Sequence, residues 1–440
     1  MPAKRPGRPR RTAKPDPRRS GAAPGLDGRA GASATLPGMA HFYLCWELGG
    51  GPGHAGRLKS IALPLRARGH TVSLVLRDLV LTRRQLAGLD MPLFQAPVWL
   101  HRTAGLPPDQ ASLAEILLAC GYLDADALAG LCEGWRGLFM QGRPGLVIAD
   151  YAPTAILAAR SLGLASAALG PGFYMPPAGE ALPPLRGWEA PPAARLRATE
   201  TRLLDSANRV LAGHGAAPFG HGADLLLGEH PFLCTWPELD HYGRSGGGPW
   251  LGPNLPPPAS GRAAFPAGEG PRVFAYLRRA IPESGEVLAA LVRQGCRVLC
   301  YMPDVAAGAP APVDSPLVTY APTPVALPEA LAQCAFVVSH AGEALVAQSL
   351  LAGRPLLLLP HAAESFLMAR RVAQLGAGIN AMATPRPRDW DGMVARLLGE
   401  PAWREAAAGF ARRYAGYDPQ QQAEALADRF EALAERFTRP

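Results

Sequence analysis

Short hydrophobic runs recur along this chain, and most are followed by a stretch whose apolar positions return every three or four residues. His41–Trp46 (HFYLCW) reads as a strand and ends in the glycine cluster GGGPG. In RLKSIALPLRARGH, Leu58, Ile61, Leu63 and Leu65 alternate with Arg57, Lys59, Arg66 and Arg68, a helical pattern that Gly69 is placed to close. Thr71–Leu76 (TVSLVL) is a second strand. Further on, Leu146–Ala149 and Ala165–Leu169 read as strands around a helix at Thr154–Leu162, and Ala193–Ala212 reads as helix. After a break, Arg272–Leu277, Arg297–Met302, Phe336–Ser339 and Pro355–Leu359 read as strands. Helices are expected at Gly285–Gln294, Glu343–Ala352, Leu367–Leu375, Trp390–Leu398, Trp403–Tyr414 and Gln420–Phe437.

Strand–helix–strand alternation implies parallel strands with crossover helices. The fold class is therefore α/β, with two doubly wound domains facing a cleft. Ligands of such sheets bind at the carboxyl ends of the strands. The break, Gly243–Gly270, is rich in Gly, Pro and Ser and contains NLPPPAS, as a linker would. The expected division is a basic tail at 1–38, a first domain at 39–243, a linker at 244–270, a second domain at 271–415 and a last helix at 416–440.

The formal net charge of +8 changes this picture little. Residues 1–38 hold nine Lys or Arg and two acids, and the rest of the chain balances at 35 basic against 34 acidic. Nucleic-acid binding by the folded body is not indicated, because such a domain carries a basic face of its own. The tail's composition reads as disordered, as an arm for peripheral contact with a membrane, or as a mis-annotated start ahead of Met39. No apolar signal core and no uncharged stretch long enough for a membrane span are present. Seven scattered cysteines without a C-x-x-C pair suggest neither disulfides nor a zinc site, so a cytoplasmic setting is expected. No metal and no resident cofactor are expected, and the oligomeric state is not readable.

Three places carry candidate chemistry. In GGGPGH54, glycines such as Gly51 and Gly53 let the chain turn tightly from strand to helix, and His54 stands at the mouth of the cleft, where an imidazole can take a proton. Plain loop geometry is the competing account. Asp150 follows a buried strand and so points into the crevice, where it could orient His54. It could equally cap the helix that begins near Pro153. In FVVSHAGEALVAQ, His340 sits at a strand end and Gly342 opens a helix, which makes an anion site by mechanism. Gln348 and Glu364 follow on the same edge, and ordinary turns explain them as well.

Taken in order, these segments resemble the UDP-glycosyltransferase superfamily, especially its macrolide-type and antibiotic-type bacterial members, over about residues 40–437. The matching stretches are GPGH54 with RARGH70TV, FLCTWPEL with WLGP253, SHAGEALVAQ348, LAGRPLLLLP360, Glu364-Ser365 and RRVAQLGAG378. The resemblance implies the GT-B arrangement of two Rossmann-like domains, with the last helix crossing back to the first. It implies an acceptor-binding first domain, a nucleotide-sugar-binding second domain and inverting, metal-independent transfer to an acceptor hydroxyl from a UDP- or TDP-linked sugar. His54 then corresponds to the base and Asp150 to its partner. His340 lies near the donor phosphates, and Val325 in the region whose backbone holds the base of the nucleotide.

The chain also departs from that pattern. Leu345 stands where the family binds phosphate with Ser or Thr, Gln348 replaces the ribose-binding Glu, Ala341 replaces a glycine, and Glu364-Ser365 replaces Asp-Gln. Arg278 or Arg279 could supply the missing phosphate contact. Two alternatives to a transferase remain: a non-catalytic GT-B protein that binds a nucleotide-sugar or assists a partner, and a nucleotide-sugar epimerase. The Pro-rich segment Gly172–Pro192 is either an apolar acceptor wall or an ordinary surface loop.

Overall fold

The computed structural model describes residues 39–244, 248 and 250–438; the 1–38 tail and part of the linker lie outside the described residues. Within it, twelve strands form two six-stranded sheets. The first contains β1 (His41–Trp46), β2 (Thr71–Leu76), β3 (Leu93–Gln95), β4 (Leu146–Asp150), β5 (Ser166–Gly170) and β6 (His230–Leu233), in the order β3-β2-β1-β4-β5-β6. The second contains β7 (Arg272–Tyr276), β8 (Arg297–Tyr301), β9 (Val318–Tyr320), β10 (Phe336–Ser339), β11 (Leu356–Leu358) and β12 (Gly378–Asn380), in the order β12-β11-β10-β7-β8-β9. All pairs are parallel. Each sheet thus reverses its winding once, between β1 and β4 and between β7 and β10. Those two reversal points are where a doubly wound sheet opens a ligand crevice.

The strands are apolar almost throughout because both faces are covered. On the first sheet the helices that matter here are α1 (Gly53–Ala67), α2 (Ala125–Gly142), α3 (Pro153–Ser161) and α4 (Ala193–Gly213). On the second they are α5 (Pro282–Arg293), α6 (Leu327–Gln333), α7 (Glu343–Leu351), α8 (Ala363–Gln374), α9 (Trp390–Gly399) and α10 (Pro401–Arg413). The last helix, α11 (Pro419–Thr438), leaves the second sheet and buries Leu426, Ala427 and Phe430 against Leu58 and Ile61 of α1 and the β1 side chains Phe42 and Leu44. Arg68, at the end of α1, pairs with Glu424, Asp428 and Glu431 of that helix. Among the described residues, no helix is long and apolar enough to cross a membrane.

Two expectations need correction at this level. Gly53 is the first residue of α1 and lacks a positive φ; Gly49 at +78° and Gly51 at +87° are the positions that require glycine. The start of Gly172–Pro192 is core rather than loop or pocket wall, since Phe173, Tyr174 and Met175 are buried in the first domain.

Candidate active site

The register of β1 and β4 places Trp46 beside Asp150 at the first reversal point. The chain leaves β1 through the glycine turn and enters α1, which carries His54 back toward the end of β4. Nδ1 of His54 lies 3.0 Å from Oδ1 of Asp150. Both are buried, at 5% and 0% exposed, so little water competes with that contact. Asp150 does not cap α3: the N–H of Thr154 donates instead to Oε2 of Glu47 at 2.8 Å, and the Thr154 hydroxyl to Oε1 at 2.6 Å. Burial pushes the Glu47 carboxyl up to about 7 against those bonds.

Arg57, one helical turn after His54, completes the cluster. Its Nε donates to Oδ2 of Asp150 at 3.2 Å and its Nη2 to Oδ1 at 3.1 Å. Nη2 also lies 2.7 Å from the Tyr174 hydroxyl and 2.9 Å from Nδ1 of His54. That nitrogen has two hydrogens for three neighbours, so one contact carries no hydrogen bond. The count closes when Nη2 serves Asp150 and Tyr174, the Tyr174 hydroxyl donates to Asp150, and Nδ1–H of His54 donates to Asp150. The other assignment would set a bare Nδ1 lone pair against a carboxylate oxygen. His54 therefore carries its hydrogen on Nδ1, which leaves the Nε2 lone pair free. Burial works to raise the Asp150 carboxyl, but Arg57 and His54 outweigh it and hold it down to about 2.

Trp46 stacks on the His54 ring, and a Cβ placed on Gly49 would stand 2.7 Å from Nε2. The turn is thus glycine where a side chain would cover the ring's free edge. Tyr151, directly after Asp150, adopts φ +52° and stacks on Tyr174 with ring centroids 4.4 Å apart. Strain of that kind in a non-glycine residue concentrates at functional sites.

The second reversal point holds Arg278 after β7 and His340 after β10, whose last residues, Tyr276 and Ser339, are paired in register. Both ring nitrogens of His340 are engaged: Nδ1–H donates to the Leu359 carbonyl at 2.8 Å, and Nε2 accepts the Arg278 N–H at 2.9 Å. Burial lowers its protonation range to about 4. The ring thus organises the loop and has no free hydrogen for a phosphate. Arg279 is likewise occupied: its backbone N–H donates to the Asp304 carboxylate and its Nε to the Pro310 carbonyl. The Arg278 guanidinium has no hydrogen bond or ion pair among the described residues and is exposed. It points at the other domain: a Cβ on Gly51 would lie 4.0 Å from its Nη2.

Gly342 is the N-cap of α7, and Ala341 before it adopts φ +60°, so the left-handed backbone is kept without the glycine. Glu343 opens α7 with Oε2 3.8 Å from Nη1 of Arg57, and its Oε1 has no partner. Burial pushes this carboxyl up to about 8 and also raises Glu364, against the pull of Arg57. Ser365 is turned to another use, since its hydroxyl accepts from the N–H groups of His361 and Ala362 at the start of α8. Gln348 donates to the Ala344 carbonyl and lines a groove of about 950 Å³ with Leu255, Pro256 and Leu331. Val325 is buried, and the linker crosses it: the Ala326 N–H donates to the Gly261 carbonyl at 2.6 Å. Among the described residues no group of His, Cys, Asp or Glu is arranged to hold a metal ion.

Two parallel six-stranded sheets of the same winding, with their reversal points opposed, settle the architecture. The fold is GT-B. CalG4, the calicheamicin glycosyltransferase, superposes with TM-score 0.67 at 19% identity, over 91% of this chain and 100% of that one. The glycosyltransferase VinC in complex with DTDP gives 0.61 at 17% identity, over 90% and 100%. The spinosyn rhamnosyltransferase SpnG complexed with spinosyn aglycone gives 0.58 at 18%, over 88% and 100%. In sequence, residues 305–429 match the family of the erythromycin biosynthesis protein CIII-like C-terminal domain. No curated protein matches the GT-B chain by sequence.

Sequence reasoning missed Arg57, Glu47 and Glu343. Arg57 reads as one cation on the polar side of an amphipathic helix, and only its i+3 spacing from His54 hints at a shared face.

Proposed function

We propose that this GT-B protein is a glycosyltransferase that moves a sugar from a nucleoside diphosphate sugar, UDP- or TDP-linked, to an acceptor hydroxyl with inversion. The observation that carries the reading is the buried His54–Asp150 pair at one reversal point, with an unpaired Arg278 and the α7 N-terminus across the cleft. Nε2 of His54 takes the proton of the acceptor hydroxyl as that oxygen bonds to the anomeric carbon. The bond from that carbon to the diphosphate breaks, and the oxygen leaves with its electron pair. A positioned base of this kind contributes about 10²–10⁴-fold. Asp150 holds the ring and stabilises the imidazolium that forms. Arg278 and the free N–H groups of α7 receive the diphosphate charge, so the proposal gives that task to no metal. In this reading Glu364 accepts hydrogen bonds from the sugar hydroxyls. VinC's complex with DTDP and SpnG's with an aglycone support a nucleotide and an acceptor as the two kinds of ligand.

The test is release of nucleoside diphosphate from UDP- and TDP-sugars, with a panel of hydroxyl acceptors, by wild type and His54→Ala. Loss of turnover with donor binding retained supports the base. Wild-type turnover in the variant would remove His54 from the reaction. A catalytically silent nucleotide-sugar-binding protein is the second reading, favoured by the engaged ring of His340 and by Leu345 and Ser365. It predicts donor binding without turnover in wild type.

A further inference from the structure

Arg57 lies wholly inside the cluster that holds the base, and the mechanism above gives it no task. It forks onto Asp150 through Nε and Nη2, donates to Tyr174, and extends Nη1 toward Glu343 of the other domain. With Asp150 ionised and His54 neutral, the three side chains sum to no net charge inside a nearly water-free volume. Without the guanidinium the same volume would hold one uncompensated negative charge. A buried unpaired charge is costly, and a cluster in that state relieves it by taking up a proton. The nearest place for that proton is Nε2 of His54, the site that must be empty for the base to work.

We propose that Arg57 is a positioning residue that keeps His54 proton-free at Nε2 by balancing the charge of Asp150. The groups facing it bear this out element by element. From α1 and β4 come His54 and Asp150, and from the turn after β5 comes Tyr174, which contributes a hydroxyl and no charge. From α7 and α8 come Glu343 and Glu364, which burial keeps from ionising as readily as free carboxyls. A second ionised carboxylate here would cancel Arg57 and undo the balance. Burial, by disfavouring an ionised Glu343, works in the same direction.

The experiment is ¹⁵N NMR of histidine-labelled full-length protein, with His54 assigned by the signal lost in His54→Gln. At pH 7.5 the wild type is expected to show His54 protonated at Nδ1 only. Arg57→Gln is expected to show it protonated at both nitrogens, while Arg57→Lys, which keeps the charge, resembles wild type. Tyr174→Phe removes one bond to Asp150 without changing charge and is also expected to resemble wild type. An Arg57→Gln protein whose His54 keeps a bare Nε2 overturns the proposal. So does a Tyr174→Phe protein that protonates His54 as fully as Arg57→Gln. Should Arg57→Gln fail to fold, Arg57→Met, which keeps the apolar stem, takes its place. The inference rests on the transferase reading only for its consequence. Its test uses neither donor nor acceptor, so failure here leaves that reading standing, and failure of donor binding leaves this result standing.

Discussion

The indole of Trp46 and the imidazole of His54 stack with centroids 5.1 Å apart and planes 10° apart. Trp46 is the last residue of β1 and His54 the second of α1, so the stack fixes the helix entry against the sheet end. The indole N–H donates to the Leu48 carbonyl at 2.6 Å, which ties the same tryptophan to the outgoing turn. The His54 ring thus has one face covered, one edge on Asp150 and one edge open toward Gly49.

That open edge gives the first prediction. Gly49→Ala puts a Cβ where Nε2 needs room and strains a residue at φ +78°. Expected are a loss of turnover of about 10²-fold or more, in the range of a displaced acid–base group, and a stability cost of about 1–2 kcal/mol from the left-handed backbone. Nucleoside diphosphate release and thermal unfolding measure the two. Unaltered turnover would mean that the base is not approached along this edge.

Ala341 gives a prediction of opposite sign. It holds φ +60° at the entrance to α7, where an alanine is strained and a glycine is not. Ala341→Gly is expected to stabilise the protein by up to about 1 kcal/mol, the relief of αL strain less the added unfolded-state freedom. Denaturant unfolding decides it.

Glu343 predicts a pH dependence. Its carboxyl moves from an ordinary 4.5 up to about 8 on burial, so the folded state binds the extra proton between those values. Its contribution to stability is present in full below about 4.5 and is lost as pH rises through about 8. Glu343→Gln removes a titration that works against the fold at high pH. Relative to wild type, the variant should gain between pH 5 and pH 8.5, by about 1–3 kcal/mol, the scale of one buried unsatisfied group. Melting curves of both proteins across that range read the difference directly; parallel curves would show that Glu343 is ionised in the fold.

Much of this architecture could be read from the chain, because each long buried strand announces itself as an apolar run and each glycine turn as a break. His54, Asp150 and Arg278 were legible for the same reason: they follow strand ends, and strand ends line the cleft. The short strands β3 (LFQ), β9 (VTY) and β12 (GIN) lack the continuous apolar run that marks the equally short β11 (LLL). Helix α2 escaped because Gly130, Gly134, Gly137 and Gly142 interrupt it. At least two of those are packing notches, since a Cβ at Gly134 would meet Pro97 at 2.9 Å and one at Gly142 would meet the Tyr43 hydroxyl at 1.7 Å. The choice between Arg278 and Arg279 was not in the sequence at all, and turns on which guanidinium the Pro310 carbonyl leaves unoccupied. Nor could spacing reveal that Ser365 and His340 spend their polar atoms on backbone.

We propose that the cleft receives a nucleoside diphosphate at the second reversal point, with Arg278 as its free cation. Calorimetric titration of UDP and TDP into wild type, Arg278→Ala and His54→Ala tests it most directly. Saturable binding of one of the two to wild type is expected. Affinity is expected to be at least about tenfold weaker in Arg278→Ala, as for loss of a charge-assisted hydrogen bond, and unchanged in His54→Ala. No binding to wild type, or binding indifferent to Arg278, would contradict it.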